Sequence, residues 1–299
     1  MQRIDFILNP ISGGKSKAAA LRAIESGLDK SRYESRILWT AAPGDGVRLA
    51  AESTADIIVA VGGDGTVNEV ARGLLEAKAA GEEKTLGILP CGSGNGLAFH
   101  LGLSRQMSRA VATLNEGAVT SIDLGEMNGE IFCCTAGMGI DANVSLHFAQ
   151  STGRGLKNYI ALAWDEWKHH EEFVCDVECD GEKWSGKALF VTVANANQWG
   201  NEARIAPMAS LRDGLLDVIV VRNFKTVEIP ALAAKLLSGT LFNNRHLIHF
   251  RGSQILIRRT TPGPVHKDGD AFEAGKELRL RILPQALKVI VPADRLGKI

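Results

Sequence analysis

In the first third of the chain, short unbroken apolar runs alternate with stretches of helical spacing. Ile4–Leu8, Glu34–Trp39, Asp56–Val61 and Leu86–Leu89 read as strands. Lys15–Leu28, Val47–Glu52 and Thr66–Lys78 read as helices, and so do Asn95–Leu101 and Met107–Asn115. That order predicts a parallel sheet with helices on its faces. The pattern changes near Ser121. Glu130–Thr135, Phe173–Cys179, Lys187–Ala194, Leu216–Val221, Gln254–Arg258, Phe272–Glu273, Glu277–Leu283 and Ala286–Val291 read as strands. Helices are expected near Leu156–His170 and Glu228–Leu241. Many strands with few helices predict an antiparallel sheet or β-sandwich. The expected fold class is therefore an α/β N-terminal domain with a parallel sheet, plus a mainly antiparallel β-sandwich C-terminal domain. The boundary is placed at 1–122 and 123–299, with the last residues packing back on the first domain.

Composition narrows the function classes. The chain of 299 residues is 45% hydrophobic and 23% charged, enough to bury a core. Its 34 basic residues balance 34 acidic ones, so no global attraction to nucleic acid is expected. Met1–Pro10 reads as a first strand rather than a signal peptide, and no run has transmembrane length. Cys91, Cys133, Cys134, Cys175 and Cys179 lack metal-site spacing, and an odd count fits reduced thiols. A cytoplasmic protein is expected.

Three glycine-bearing segments follow strands. Gly62-Gly63-Asp64-Gly65-Thr66 lies between the Asp56–Val61 strand and a helix. Its glycines let main-chain N–H groups converge on one spot, and the helix N-terminus favours negative charge there. This is a phosphate site with a carboxylate inside it. Asn9-Pro10-Ile11-Ser12-Gly13-Gly14-Lys15-Ser16 approaches a P-loop but has Asn at position 9 where the pattern needs Gly. It reads as a phosphate or ribose loop, or as a tight turn with Ser12 as helix cap. Pro90-Cys91-Gly92-Ser93-Gly94-Asn95 is the third. Loops from neighbouring strands face one crevice.

Three other segments have weaker chemistry of their own. His266-Lys267-Asp268-Gly269-Asp270 offers two carboxylates for metal or acid–base work, or is an Asp-Gly hairpin turn. Ser210, Asp213 and Leu215 could hold a hard cation through oxygen, or belong to a plain loop. The apolar stripe within Gly155–His170, including Trp164 and Trp167, could line an acyl pocket, touch a membrane or be core.

Taken in order, these segments resemble the diacylglycerol kinase catalytic family, which includes bacterial lipid kinases and the sphingosine and ceramide kinases. The resemblance also uses Ser121-Ile-Asp-Leu-Gly125, Gly137-Met-Gly-Ile-Asp141, Ile205-Ala-Pro207 and Asp213-Gly-Leu-Leu-Asp217, and so spans nearly the whole chain. It implies ATP bound in a cleft between the two domains, with magnesium. By position, Asn9, Pro10, Ser12, Gly13 and Thr40 would lie along the nucleotide. Gly62, Gly63, Asp64, Gly65, Thr66, Val67 and Asn68 would wrap the phosphates, with Gly92 and Ser93. Ser210, Asp213 and Leu215 match a magnesium site, with Asp123 as a further candidate. Asp270, beside Asp268, falls where the family carries a proton-accepting Glu, and Asp64 matches the base of sphingosine kinases. Both alternatives stay open.

The chain departs from the family twice. Asp-Gly-Asp replaces Asp-Gly-Glu, and Gly-Ser-Gly-Asn-Gly lacks the second acid of many bacterial relatives. The implied activity is ATP- and magnesium-dependent phosphorylation of a diacylglycerol or sphingoid base. The expected partner is a membrane lipid reached by peripheral contact, with a homodimer left open and no nucleic acid. The alternatives are an NAD kinase-like enzyme and an inactive nucleotide-responsive lipid-binding protein.

Overall fold

A computed structural model of the protein describes residues 1–12, 17–150, 156–169, 171–242 and 244–299, with side chains described except at 148–150 and 156–160. It divides into two units, Met1–Asp123 with Gln285–Ile299, and Leu124–Pro284.

The first unit runs β1 (Gln2–Leu8), α1 (Ala18–Gly27), β2 (Tyr33–Trp39), α2 (Asp45–Glu52), β3 (Ile57–Gly62), α3 (Asp64–Ala79), β4 (Thr85–Pro90), α4 (Gly96–His100), α5 (Met107–Glu116) and the start of β5 (Ala118–Met127). Its sheet is parallel in the order β2-β1-β3-β4. Every residue of β3 is buried, as its unbroken apolar run requires. Ile57, Val59 and Val61 pack with Ile24 of α1 and Val111 of α5. The alternate residues Ile58 and Ala60 face the opposite side. Strand order reverses between β1 and β3, and such switch points leave a crevice at the strands' carboxyl ends. The loops after β1 and β3 start there.

His100 ends α4 at 3% exposure. Burial above all, then the charge of Arg295, lowers its pKa from 6.5 to about 4. The unfolded chain takes up a proton below 6.5, whereas the folded one does not until about 4. Stability contributed by the neutral ring is therefore lost as pH falls through that window. The loss is about 3 kcal/mol at the foot of the window, at roughly 1.4 kcal/mol per unit. Urea melts of His100→Gln between pH 7 and 4 should show a shallower acid limb than the parent; equal limbs would rule this out.

The second unit continues with β6 (Glu130–Phe132), β7 (Thr135–Gly139), α6 (Ile140–Gln150), α7 (Leu156–His169), β8 (Phe173–Cys179), β9 (Glu182–Ala188), β10 (Phe190–Ala194), β11 (Leu216–Val221), α8 (Ile229–Ser238), β12 (Leu247–Gly252), β13 (Gln254–Arg259), β14 (Gly263–Lys267), β15 (Asp270–Ala274) and β16 (Glu277–Val291). One antiparallel sheet has the order β12-β11-β10-β7-β14-β15. In the other, β13 lies between β8 and the first part of β16, and β9 flanks β8. Val218 and Val220 of β11 join Val177 of β8 and Ile257 of β13 in the core between the sheets. Ile219 and Val221, pointing the other way, pack with Leu232 and Leu236 of α8. Both faces of β11 are thus covered, which explains its unbroken apolar sequence. This is the expected sandwich.

Several expected boundaries shift. The expected strand at 130–135 is two strands broken at Cys133–Cys134, and 187–194 divides between β9 and β10. The two expected strands 277–283 and 286–291 are one, β16, despite Pro284. Gln285 takes a left-handed φ of 47° there, and its N–H donates to Asp123 at 2.7 Å. The four buried thiols include Cys175 and Cys179, pushed by burial to about 12 and about 11.

Candidate functional site

In the first unit, the loops after β1, β3 and β4 are tied together by main-chain and buried polar contacts. Asn9 N–H donates to Val61 O at 3.3 Å, and Cys91 N–H to Gly62 O at 2.8 Å. A Cβ built on Gly92 would lie 2.3 Å from Gly63 Cα, so these two loops approach as only glycine allows. Asn95, in a left-handed conformation at φ 57°, closes the third loop. Its Oδ1 accepts from Gly92 N–H and its Nδ2 donates to Gly92 O, both at 2.8 Å.

Gly63 caps α3, and the first intrahelical bond runs from Val67 N–H to Gly63 O at 3.0 Å. The N–H groups ahead of it have no acceptor within the helix and form its positive end. Asp64, expected in a loop, stands in the first turn of α3. Negative charge is favoured at that position. Thr66 Oγ1 is buried beneath Gly62 and has no hydrogen-bond partner among the described residues.

Lys17 was not singled out by sequence, because P-loop spacing drew attention to Lys15. At 6% exposure, its ammonium donates to Ser12 O at 2.6 Å, Ser12 Oγ at 2.8 Å and Cys91 O at 3.5 Å. It bridges the first and third loops, and burial lowers its pKa. A buried cation at the carboxyl ends of strands is suited to an anion.

Other expected nucleotide residues divide. Pro10 and Ser93 are exposed, and Gly65 is half-buried. Asn9 Oδ1 accepts from Ile11 N–H at 3.1 Å, holding the turn. Thr40 is buried, and both its N–H and hydroxyl point to Leu8 O, at 3.0 and 3.4 Å. Gly13 lies outside the described residues. The Val67 side chain is core at 3% exposure, and its N–H bonds within α3. Asn68 is also buried, at 3%. Gly92 donates its N–H to Asn95 and approaches Gly63 closely. Glu69 accepts from Gly44 and Gly46 N–H groups at 2.9 and 3.0 Å, so it anchors α2.

In the second unit, Asp268 and Asp270 flank a hairpin turn. Asp268 at φ 47° and Gly269 at φ 88° join β14 to β15, with Lys267 paired to Asp270. Successive positive φ values match the twist of a hairpin. The Asp268 carboxylate accepts from Cys133 and Cys134 N–H at 2.7 Å and from Thr135 N–H at 3.1 Å. Asp268 N–H returns a bond to Thr135 O at 2.8 Å. These bonds let the Asp268 carboxylate position the hairpin. Asp270 stands exposed at the start of β15.

The Ser210–Leu215 loop brings its three expected residues into one turn. Asp213 Oδ1 accepts from Leu215 N–H at 3.1 Å, Ser210 Oγ accepts from Arg212 N–H at 3.3 Å, and Gly214 has φ +73°. Arg251 pairs with the other Asp213 oxygen. Hydroxyl, carboxylate and carbonyl oxygens suit a hard cation, for which Arg251 would have to yield. Asp123 belongs to the first unit, is 1% exposed and accepts from Gln285 N–H. No cluster of three His, Cys, Asp or Glu residues that could hold a metal occurs among the described residues.

An apolar pocket of about 270 Å³ lies in the second unit, between the outer face of β11 and helices α6, α7 and α8. Val144, Trp167, Phe190, Phe224, Leu232 and Leu236 are among its walls. Trp167 stacks on Phe224 with ring centroids 4.2 Å apart. Asp141 supplies a polar corner. Its Oδ2 accepts from Thr192 Oγ1 at 2.8 Å and lies 3.2 Å from His266 Nε2. Both Asp141 and His266 are buried, and His266 Nδ1 has no partner among the described residues. The Gly137–Asp141 segment marked Asp141 in the sequence, but nothing in it announced Thr192.

Two family models match the chain. The diacylglycerol kinase catalytic domain matches residues 3–127, and the YegS C-terminal NAD kinase beta sandwich-like domain matches residues 134–291. A "Diacylglycerol kinase" of Bacillus subtilis (strain 168) is 28% identical, over 90% of each chain. A protein of Pseudomonas syringae pv. syringae (strain B728a) named "Probable lipid kinase YegS-like" is 30% identical, over 87% of this chain and 84% of its own. The crystal structure of a diacylglycerol kinase from Bacillus anthracis str. Sterne shares the fold at a TM-score of 0.74 and 22% identity, over 97% of both chains.

Proposed function

The chain belongs to the diacylglycerol kinase family of lipid kinases, and from that premise we propose that it moves the γ-phosphoryl group of ATP to a hydroxyl of a diacylglycerol or sphingoid-base lipid. The observation that carries this reading is the apolar pocket with its buried Asp141 corner. A pocket with almost wholly apolar walls suits a hydrocarbon chain, whereas a pyridine nucleotide would need polar partners along its length.

In this reading, the first unit holds the nucleotide. The positive end of α3 and the Lys17 ammonium receive phosphate oxygens. Ser210, Asp213 and Leu215 are the residues that would hold magnesium. Bound magnesium supplies charge that neutralises the phosphates during transfer. Asp213 can contribute only if Arg251 gives up one of its oxygens.

The second unit holds the acceptor. The lipid hydroxyl oxygen forms a bond to the γ-phosphorus, the bond from that phosphorus to ADP breaks, and Asp270 takes the hydroxyl proton. Asp64 is less suited to that task, because the start of α3 stabilises its negative charge. Proton loss is late in phosphoryl transfer, so an ordinary carboxylate suffices. Peripheral contact with a membrane gives access to the lipid.

Lys17→Met removes a cation from the phosphate loops. Hydrogen bonds to charged groups contribute about 1.5–3 kcal/mol, so ADP affinity measured by titration calorimetry should fall about tenfold or more. Unchanged affinity would take Lys17 out of the site. The function itself is tested by incubating labelled ATP with diacylglycerol, monoacylglycerol, sphingosine, dihydrosphingosine, ceramide and NAD, then separating products by thin-layer chromatography. A labelled lipid is expected. Label on NAD alone would favour the pyridine-nucleotide reading, and lipid binding without ATP consumption would favour an inactive binding protein.

A further inference from the structure

Helix α8 is built mostly of apolar residues, yet none of its residues is buried. Its sequence is Ile-Pro-Ala-Leu-Ala-Ala-Lys-Leu-Leu-Ser, so Lys235 and Ser238 are its two polar residues. Ile229, Leu232, Ala233 and Leu236, at i, i+3, i+4 and i+7, line the apolar pocket. Pro230, Ala231, Ala234 and Leu237 are exposed. Leu237 is 59% exposed, and Val227, just before the helix, is 81% exposed. Exposed aliphatic side chains such as Leu237 and Val227, beside a helix so rich in apolar residues, ordinarily find cover in a core or a lipid environment. This one has an apolar pocket on its inner side and nothing from the described residues covering its outer side.

The flanking charge says what suits that outer side. Between Arg222 and His246, the basic residues are Arg222, Lys225, Lys235 and Arg245, against the single acid Glu228. Glu228 is already paired, with Arg245 at 2.9 Å and His246 at 3.1 Å. Arg222, Lys187 and His246, with the acid Glu172, also border a separate open polar pocket at the ends of β11 and β12. Exposed aliphatic side chains bordered by cations are the pattern of an element lying in the interface of an anionic bilayer. A second copy of the chain is a poorer match. Symmetric pairing places the same patch on both sides, and would set these cations against one another.

We propose that α8, with Val227 and the cationic residues Arg222, Lys225 and Lys235, is the surface by which this protein docks on an anionic lipid bilayer. The helix then separates bilayer from pocket, with apolar side chains toward each. An acyl chain passing along it avoids exposing its methylenes to water. The purpose of the docking rests on the lipid-kinase reading; the docking itself is measured without turnover.

The test compares the parent protein with V227E/L237E, neither residue lining the pocket. Sedimentation is measured with vesicles of phosphatidylcholine alone and of phosphatidylcholine with 30% phosphatidylglycerol. The parent should bind the anionic vesicles more tightly and release them as salt is raised. V227E/L237E should bind at least tenfold more weakly, with unchanged melting temperature and unchanged turnover of monomeric dioctanoylglycerol. Equal vesicle binding by the two proteins overturns the proposal while leaving the kinase reading intact. A parent that dimerises through this face, with V227E/L237E monomeric and no vesicle binding by either, overturns it in favour of self-association. Vesicle binding lost in V227E/L237E, with no lipid phosphorylated by either protein, supports the docking and counts against the kinase reading.

Discussion

Asp270→Asn is expected to lower kcat by about 10²–10⁴-fold, the usual contribution of a positioned proton acceptor, while leaving the melting temperature near that of the parent. Asp270 is exposed at the start of β15, so the isosteric amide costs little in the fold. The amide cannot take the proton released by the acceptor hydroxyl. If the account is right, KM for nucleotide changes little, because the nucleotide is assigned to other loops. Steady-state assays at saturating lipid check this. An Asp270→Asn enzyme with full turnover would move the base to Asp64, where Asp64→Asn should then give the same loss.

Asp268→Ala should fail in the opposite way, through stability. Its carboxylate accepts from three main-chain N–H groups in a segment whose Cys133 and Cys134 side chains are buried at 1% and 3%. Removing it leaves those donors without their charged acceptor, and bonds to charged groups are worth about 1.5–3 kcal/mol each. Because the effects of neighbouring bonds do not add, we expect a loss of about 3–5 kcal/mol in urea unfolding. The hairpin carrying Asp270 loses its anchor as well, so activity falls with stability. Normal stability with lost activity would show that Asp268 touches the reacting groups. Two carboxylates on either side of one glycine thus differ in setting: Asp268 accepts from three main-chain N–H groups, whereas Asp270 is exposed.

That difference was not visible in the sequence. His266–Asp270 by itself reads first as a hairpin turn and only second as an acid–base pair, and the structure has the turn. Its catalytic reading depends on Asp268 reaching residues 133–135, a contact across more than 130 positions. The alternation of strands and helices in the first unit was legible because β1, β3 and β4 are buried on both faces and end at glycine loops. Much of the second unit was not. Helix α6 went unread because Ala142 and Val144 are buried on a helix that shows no clean polar stripe. Strand β14 begins Gly-Pro, a turn signal, although Val265 and His266 are buried. Lys17 was missed for a related reason, since the ammonium that bridges the loops lies two residues beyond the P-loop lysine position.

The central claim is transfer of the γ-phosphoryl group to a lipid hydroxyl. It is tested most directly by following label from ATP into chloroform-extractable lipid, with ATP labelled at the γ- or the α-phosphorus. The account predicts extractable label from γ-labelled ATP only, strongly reduced in Asp270→Asn. No extractable label from γ-labelled ATP with any diacylglycerol or sphingoid base, in a protein that binds ADP, would contradict it.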